Sequence, residues 1–126
     1  MSWLIIKTAT ELVRVQAEDV VYVKADGNYS EMLLYNGSKH TMTFQLHHFE
    51  NVFQRLKNNS FVRVGRSVIV NKNYIFVINL TEQKIVLNGG KLGKEYLLSA
   101  SKDALKELKL ELGEANPSPG QKGGHA

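Results

Sequence analysis

The side chains able to do chemistry are few and scattered. The chain holds four histidines and no cysteine, so disulfides and thiolate metal sites are excluded. His47 and His48 are neighbours on a predicted helix and point about 100° apart, whereas a helical metal pair needs a spacing of three or four residues. His125 lies in a polar terminal stretch. Scattered surface histidines account for this pattern, and no metal is expected. Nucleophile-elbow, Walker, Rossmann and zinc-protease signatures are absent. Asn88–Lys94 reads NGGKLGK; it lacks the GK[ST] ending, no predicted helix follows it, and a hairpin turn explains it better. The carboxylates are dispersed. No enzyme and no cofactor are expected.

The segment Phe61–Asn71, FVRVGRSVIVN, carries more information. Two arginines flank a glycine between two apolar strands. In a strand Phe61 and Arg63 share one face, and Val62 and Val64 share the other. Gly65 lets the backbone bend, so Arg66 projects from a connection. A guanidinium so placed can pair bidentately with a guanine edge or a phosphate. The plain alternative is an arginine held by a neighbouring carboxylate, and for an isolated arginine it is the commoner case. Lys102 poses a second question. A cation in the first turn of a helix opposes the macrodipole. With Ser99, Ser101 and the helix N-terminus it would make a phosphate or groove contact. Otherwise it is an exposed lysine screened by Asp103.

The elements that position these residues are short. Strand-like runs cover Leu12–Val15 and Val20–Val23, separated by Ala17-Glu18-Asp19. Asp26-Gly27-Asn28 is a loop signal, and Tyr29–Tyr35 a strand. Asn36-Gly37 predicts a two-residue hairpin turn returning through Lys39–Met42. The period then changes: Phe49, Val52, Phe53 and Leu56 form one helical face, with Thr43 as N-cap and Asn58-Asn59-Ser60 as terminator. Strands resume at Phe61–Val64, Ser67–Val70, Tyr74–Ile78, Lys84–Leu87 and Tyr96–Leu98, with a turn at Asn88-Gly89-Gly90. Ser101 caps a last helix whose stripe is Leu105, Leu108 and Leu112. Residues 113–126 hold four Gly and two Pro with no large apolar residue and read as a disordered tail or linker. Expected, then, is a mostly β fold of about nine strands in stacked antiparallel sheets. It has one internal and one C-terminal helix. Residues 1–11 form an N-terminal extension or first strand, and residues 12–112 the domain.

Composition bounds the rest. At 126 residues the chain is one domain. Its 43% hydrophobic and 22% charged residues describe an ordinary globular protein. A net charge of +4 permits a nucleic-acid partner without requiring one. No apolar run is long enough for a bilayer, Trp3–Ile6 is too short for a signal-peptide core, and the lack of cysteine fits the cytoplasm.

FVRVGRSVIVN resembles the most recognisable stretch of the LytTR domain, F-x-R-V-H-R-S-x-x-V-N, with Gly65 in place of the family's usual histidine. Val20–Tyr29 (VVYVKADGNY) is similar to the family's I-x-Y-I-E-A-x-x-N-Y entry. Tyr74-Ile75 matches its N-x-x-Y-I, and Ser101-Lys102 its terminal S-R. The resemblance runs from about Leu12 to Leu112. It implies a bacterial transcription-regulatory module, an output domain of two-component response regulators. Such a module is an elongated stack of small sheets. Its loops enter successive major grooves of double-stranded DNA. It also implies two copies on a repeated site, as a homodimer on DNA, and an upstream signalling partner. Carried over by position, Asn28, Tyr29, Ser30, Arg66 and Lys102 would face bases, while Arg63, Ser67, Lys72, Ser99 and Ser101 would face the backbone. Lysine at 102 lacks the planar fork of the family's arginine. The alternative is a β-rich protein–protein interaction domain that kept the fold and lost DNA binding.

Overall fold

The computed structural model describes residues 3–57, 59–88 and 93–113. Among them run β1 (Trp3–Lys7), β2 (Leu12–Gln16), β3 (Val20–Asp26), β4 (Tyr29–Leu34), β5 (Lys39–Met42), α1 (Leu46–Gln54), β6 (Phe61–Val64), β7 (Val68–Asn71), β8 (Ile75–Asn79), β9 (Lys84–Leu87), β10 (Tyr96–Ser99) and α2 (Lys102–Gly113). They form three sheets: the β1–β2 hairpin, a central five-stranded sheet ordered β5-β4-β3-β7-β6, and a three-stranded sheet ordered β10-β9-β8. Every pairing is antiparallel. The mostly β, stacked architecture expected from the short connections is the one observed.

The central sheet is covered on both faces. Val20–Val23 of β3 and all of β7 are buried, as suits unbroken runs of β-branched residues. One face packs with α1 and the β1–β2 hairpin around Leu4, Ile6, Phe49 and Phe53. The other packs with the three-stranded sheet and α2 around Ile85, Leu87, Leu98, Leu105 and Leu108. In β6 the predicted alternation holds: Phe61 enters the first core, Val62 and Val64 the second. The Phe61 ring stacks on Phe53 with centroids 3.9 Å apart. Asn71 is a buried polar residue whose amide donates to the Val20 carbonyl and accepts from the Asn73 N–H, both at 3.0 Å. It locks β7 to β3 and starts the 3-10 turn Lys72–Tyr74.

Several local expectations are corrected. Thr43 does not cap α1; the cap position is Gln45, without a side-chain bond. The chain stays extended to that point because Phe44 must bury itself, meeting Phe49 edge-on at 5.6 Å. This is a hydrophobic staple across the helix start. The helix ends at Gln54, before the expected Asn58–Ser60 stop. At Asn36-Gly37 only Gly37 has positive φ, so the two-residue turn gives way to a wider one. The Asn36 side chain accepts from the Ser38 N–H and hydroxyl. Ala17–Asp19 is a 3-10 turn, and β8 starts at Ile75 because Tyr74 belongs to the preceding 3-10 turn. Gly89 and Gly90 of the expected turn, and the terminal stretch from residue 114, lie outside the described residues.

Candidate nucleic-acid interface

β6 and β7 pair up to Val64↔Val68, which leaves Gly65, Arg66 and Ser67 as a tight, exposed connection. Gly65 adopts φ +64°, a conformation costly for most side chains. Arg63 closes this turn from below. Its Nη1 donates to Glu50 Oε1 of α1 at 3.0 Å and its Nη2 to the Arg66 carbonyl at 2.9 Å. Arg63 is therefore the carboxylate-held arginine of the plain alternative. Arg66 is not: among the described residues its guanidinium has no hydrogen bond or ion pair, and it is exposed.

The neighbouring connections converge on this turn. The Ala25 N–H donates to the Ser67 carbonyl at 2.7 Å, so the β3–β4 turn at Gly27-Asn28 stands at the same end of the central sheet. Asn28 is exposed there, and Tyr29 is 51% exposed. A depression of about 230 Å³ lies between the two turns and the start of α1, lined by Gly27, Tyr29, Gln45, His47, Arg63 and Arg66 among others. On the other side of Arg66 a depression of about 460 Å³ is lined by Gly65, Arg66, Ser67, Ser99, Ala100 and Ser101. Ser101 caps α2 as expected, its hydroxyl accepting from the Ala104 N–H at 3.2 Å. Lys102 is exposed in the first turn. Asp26 and Asp103 are exposed at the same end, so its positive charge is modest.

Two predicted site residues are placed differently: Ser30 borders the smaller depression but is turned inward, and Lys72 lies apart from it. Ser30 is 1% exposed, and its hydroxyl donates to the Phe44 carbonyl at 2.6 Å. Strand alternation sends Tyr29 outward and Ser30 inward. Lys72 stands past the far end of β7 and pairs with Glu111 at 3.5 Å, near the C-terminal end of α2. His47 and Gln45 enter the site unannounced. Their partners arrive from β3, β4 and β6, and no local pattern near residue 47 signals that meeting. Among the described residues, no three His, Asp or Glu gather to hold a metal, and no helix is long and apolar enough to cross a membrane. Burial pushes the Tyr22 phenol well up, helped by its hydrogen bond to Glu31. Tyr74 is raised chiefly by burial as well. Neither lines the two depressions.

The family model of the LytTr DNA-binding domain matches residues 10–113. The chain belongs to the LytTR family. Among solved structures, this LytTR chain is similar to the LytTr DNA-binding domain of a methyl-accepting/DNA response regulator from Bacillus cereus. Identity is 25%, the match covers 90% of this chain and 98% of that one, and the TM-score is 0.62. No curated protein matches. The LytTR family is one of DNA-binding domains.

Proposed function

We propose that the domain binds double-stranded DNA sequence-specifically, without catalysis, to regulate transcription in the cytoplasm. The observation that carries this reading is the convergence of three exposed connections around Arg66, whose guanidinium has no hydrogen bond or ion pair among the described residues. Arg66 is assigned to a base edge in the major groove, where a guanidinium can meet guanine bidentately. Asn28 and Tyr29 flank it on one side and Lys102 on the other, each at a groove edge. Ser67, Ser99 and Ser101 face the backbone. Arg63 acts indirectly, by aiming the Arg66 turn. Ser30 and Lys72 are left out, the first for its burial and the second for its place. Two copies on a repeated site, governed by an upstream signalling partner, complete the proposal.

Selection of bound duplexes from a random pool tests it. The expected result is an enriched, repeated motif that Arg66→Ala fails to enrich fully. A second reading, a protein-interaction domain, is favoured by the exposed Phe76, Val77 and Leu97 of the three-stranded sheet. A pool that emerges unenriched, with no salt-sensitive binding to any duplex, would overturn the DNA-binding reading and favour that one.

A further inference from the structure

Among the described residues, two strand faces outside the candidate interface expose large apolar side chains. One is the outer face of the three-stranded sheet. Alternation along β9 sends Ile85 and Leu87 into the second core and Lys84 and Val86 outward. The register sets Val86 between Val77 of β8 and Leu97 of β10. The pairing of β8 with β9 shifts at Phe76, between Ile75↔Leu87 and Val77↔Val86. Ile75 and Ile78 pack on the second core, so this bulge turns two successive apolar side chains, Phe76 and Val77, to the outer face. Phe76 is 64% exposed and Leu97 61%, around a Val86 that is 8% exposed. A contiguous apolar row of this kind marks a contact surface.

The other is the outer face of the β1–β2 hairpin, where Trp3, Ile5 and Leu12 are exposed. Charge separates the two faces. On the hairpin the register adds Lys7 and Arg14 to that side, and Arg14 stacks over the Trp3 ring at 3.8 Å. β1 and β2 hold no acidic residue, so a second copy docked there would bring like charges together. The sheet face differs. Its next row is Asn79, Lys84 and Ser99, and Lys84 pairs with Glu82 of the β8–β9 turn at 2.6 Å. Its rim carries one acid and one base. A twofold axis across such a face sets the acid of each copy opposite the base of the other.

We propose that the outer face of the three-stranded sheet is the contact between two copies of this chain. Phe76, Val77, Val86 and Leu97 meet their twofold equivalents, and Glu82 of each copy pairs with Lys84 of the other. The inference does not use the DNA-binding reading. It also gives the apolar row that favours the second reading an occupant other than a different protein. The contact is face to face, because the bulge at Phe76 spoils the β8 edge for strand pairing. Four apolar side chains from each copy make a small face beside the roughly 800 Å² per partner of a stable interface. The dimer is therefore weak and exchanges with monomer.

Sedimentation equilibrium of the full chain without DNA, from about 10 μM to about 1 mM, tests it. The wild-type mass is expected to rise from 14.2 kDa towards twice that value. Phe76→Glu and Leu97→Glu should each weaken the dimer at least about tenfold, since each buries an unpaired carboxylate twice. Ile5→Glu, on the hairpin face, should leave it intact. Glu82→Lys and Lys84→Glu should each weaken the dimer, and the two together should restore it, because the swap preserves pairing across the axis. Melting of each variant checks that it is folded. A wild type that stays monomeric throughout overturns the proposal and leaves the face to a different protein. A dimer that survives both Phe76→Glu and Leu97→Glu, or one lost in Ile5→Glu, overturns it too. A doubly swapped variant no stronger than either single one overturns the Glu82–Lys84 pairing.

Discussion

Removing the Arg66 guanidinium should cost about 1–3 kcal/mol on the preferred duplex and relax selectivity at one base position. Among the described residues the Arg66 guanidinium has no hydrogen bond or ion pair, so Arg66→Ala should melt with the wild type; binding and thermal unfolding measured together check both halves. Arg63→Ala should behave differently. It breaks a half-exposed ion pair with Glu50 and the bond that fixes the Arg66 carbonyl. Screened by solvent, that pair contributes about 1 kcal/mol or less. The larger effect is on aim: affinity should fall for all duplexes, and Arg63→Lys should not restore it, because an ammonium cannot span both partners as a fork does. From sequence, Arg66 is expected at a base and Arg63 at the backbone, and nothing local ties Arg63 into the fold. The approach of Glu50, thirteen residues back along the chain, is what engages Arg63. Ser30 shows the converse. Its type suits a polar contact, but the strand's alternation turns it inward to Phe44.

At the scale of the element, the β6–β7 turn and the start of α2 determine how the interface is presented. Gly65→Ala should destabilise by about 1–2 kcal/mol, because L-residues resist φ +64°. Sterics add little, since the nearest atom to an added Cβ is Ala104 Cβ at 3.7 Å. Gly65→Asn should cost less, as asparagine tolerates that region; denaturant unfolding of both variants checks the order. Ser101→Ala should cost about 1 kcal/mol through the lost cap. Elements with strong periodicity were legible: the Phe49–Phe53 face, the Leu105–Leu108 stripe and the FVRV alternation all stand as read. Boundaries decided by tertiary demand were not. Thr43 lost the cap to the burial of Phe44, and Asn36-Gly37 opened into a wider turn tied by the Asn36 side chain. The joining of His47 to Arg66 depends on strand order, which no local pattern encodes.

Across the whole molecule, binding should weaken steeply with salt. If roughly five phosphates are neutralised, log K against log salt should fall with a slope of about −4.5. A titration over several salt concentrations measures it, and a flat line would favour the protein-interaction role. The central sheet also sets an order of opening. Amide hydrogens of Val20–Val23 and Val68–Asn71 should be the last to exchange for deuterium, because both cores must part before those strands meet solvent. α2 rests on one core alone, through Leu105 and Leu108, and its amides should exchange earlier. Arg66 is rooted in the slow region and Lys102 in the faster one. If Lys102 and Arg66 both hold DNA as proposed, opening of the second core would lift Lys102 from the duplex while the Arg66 hairpin stays folded, and release would proceed in two stages. Bound duplex should accordingly slow deuterium uptake most across Leu105–Leu112, well away from the atoms it touches.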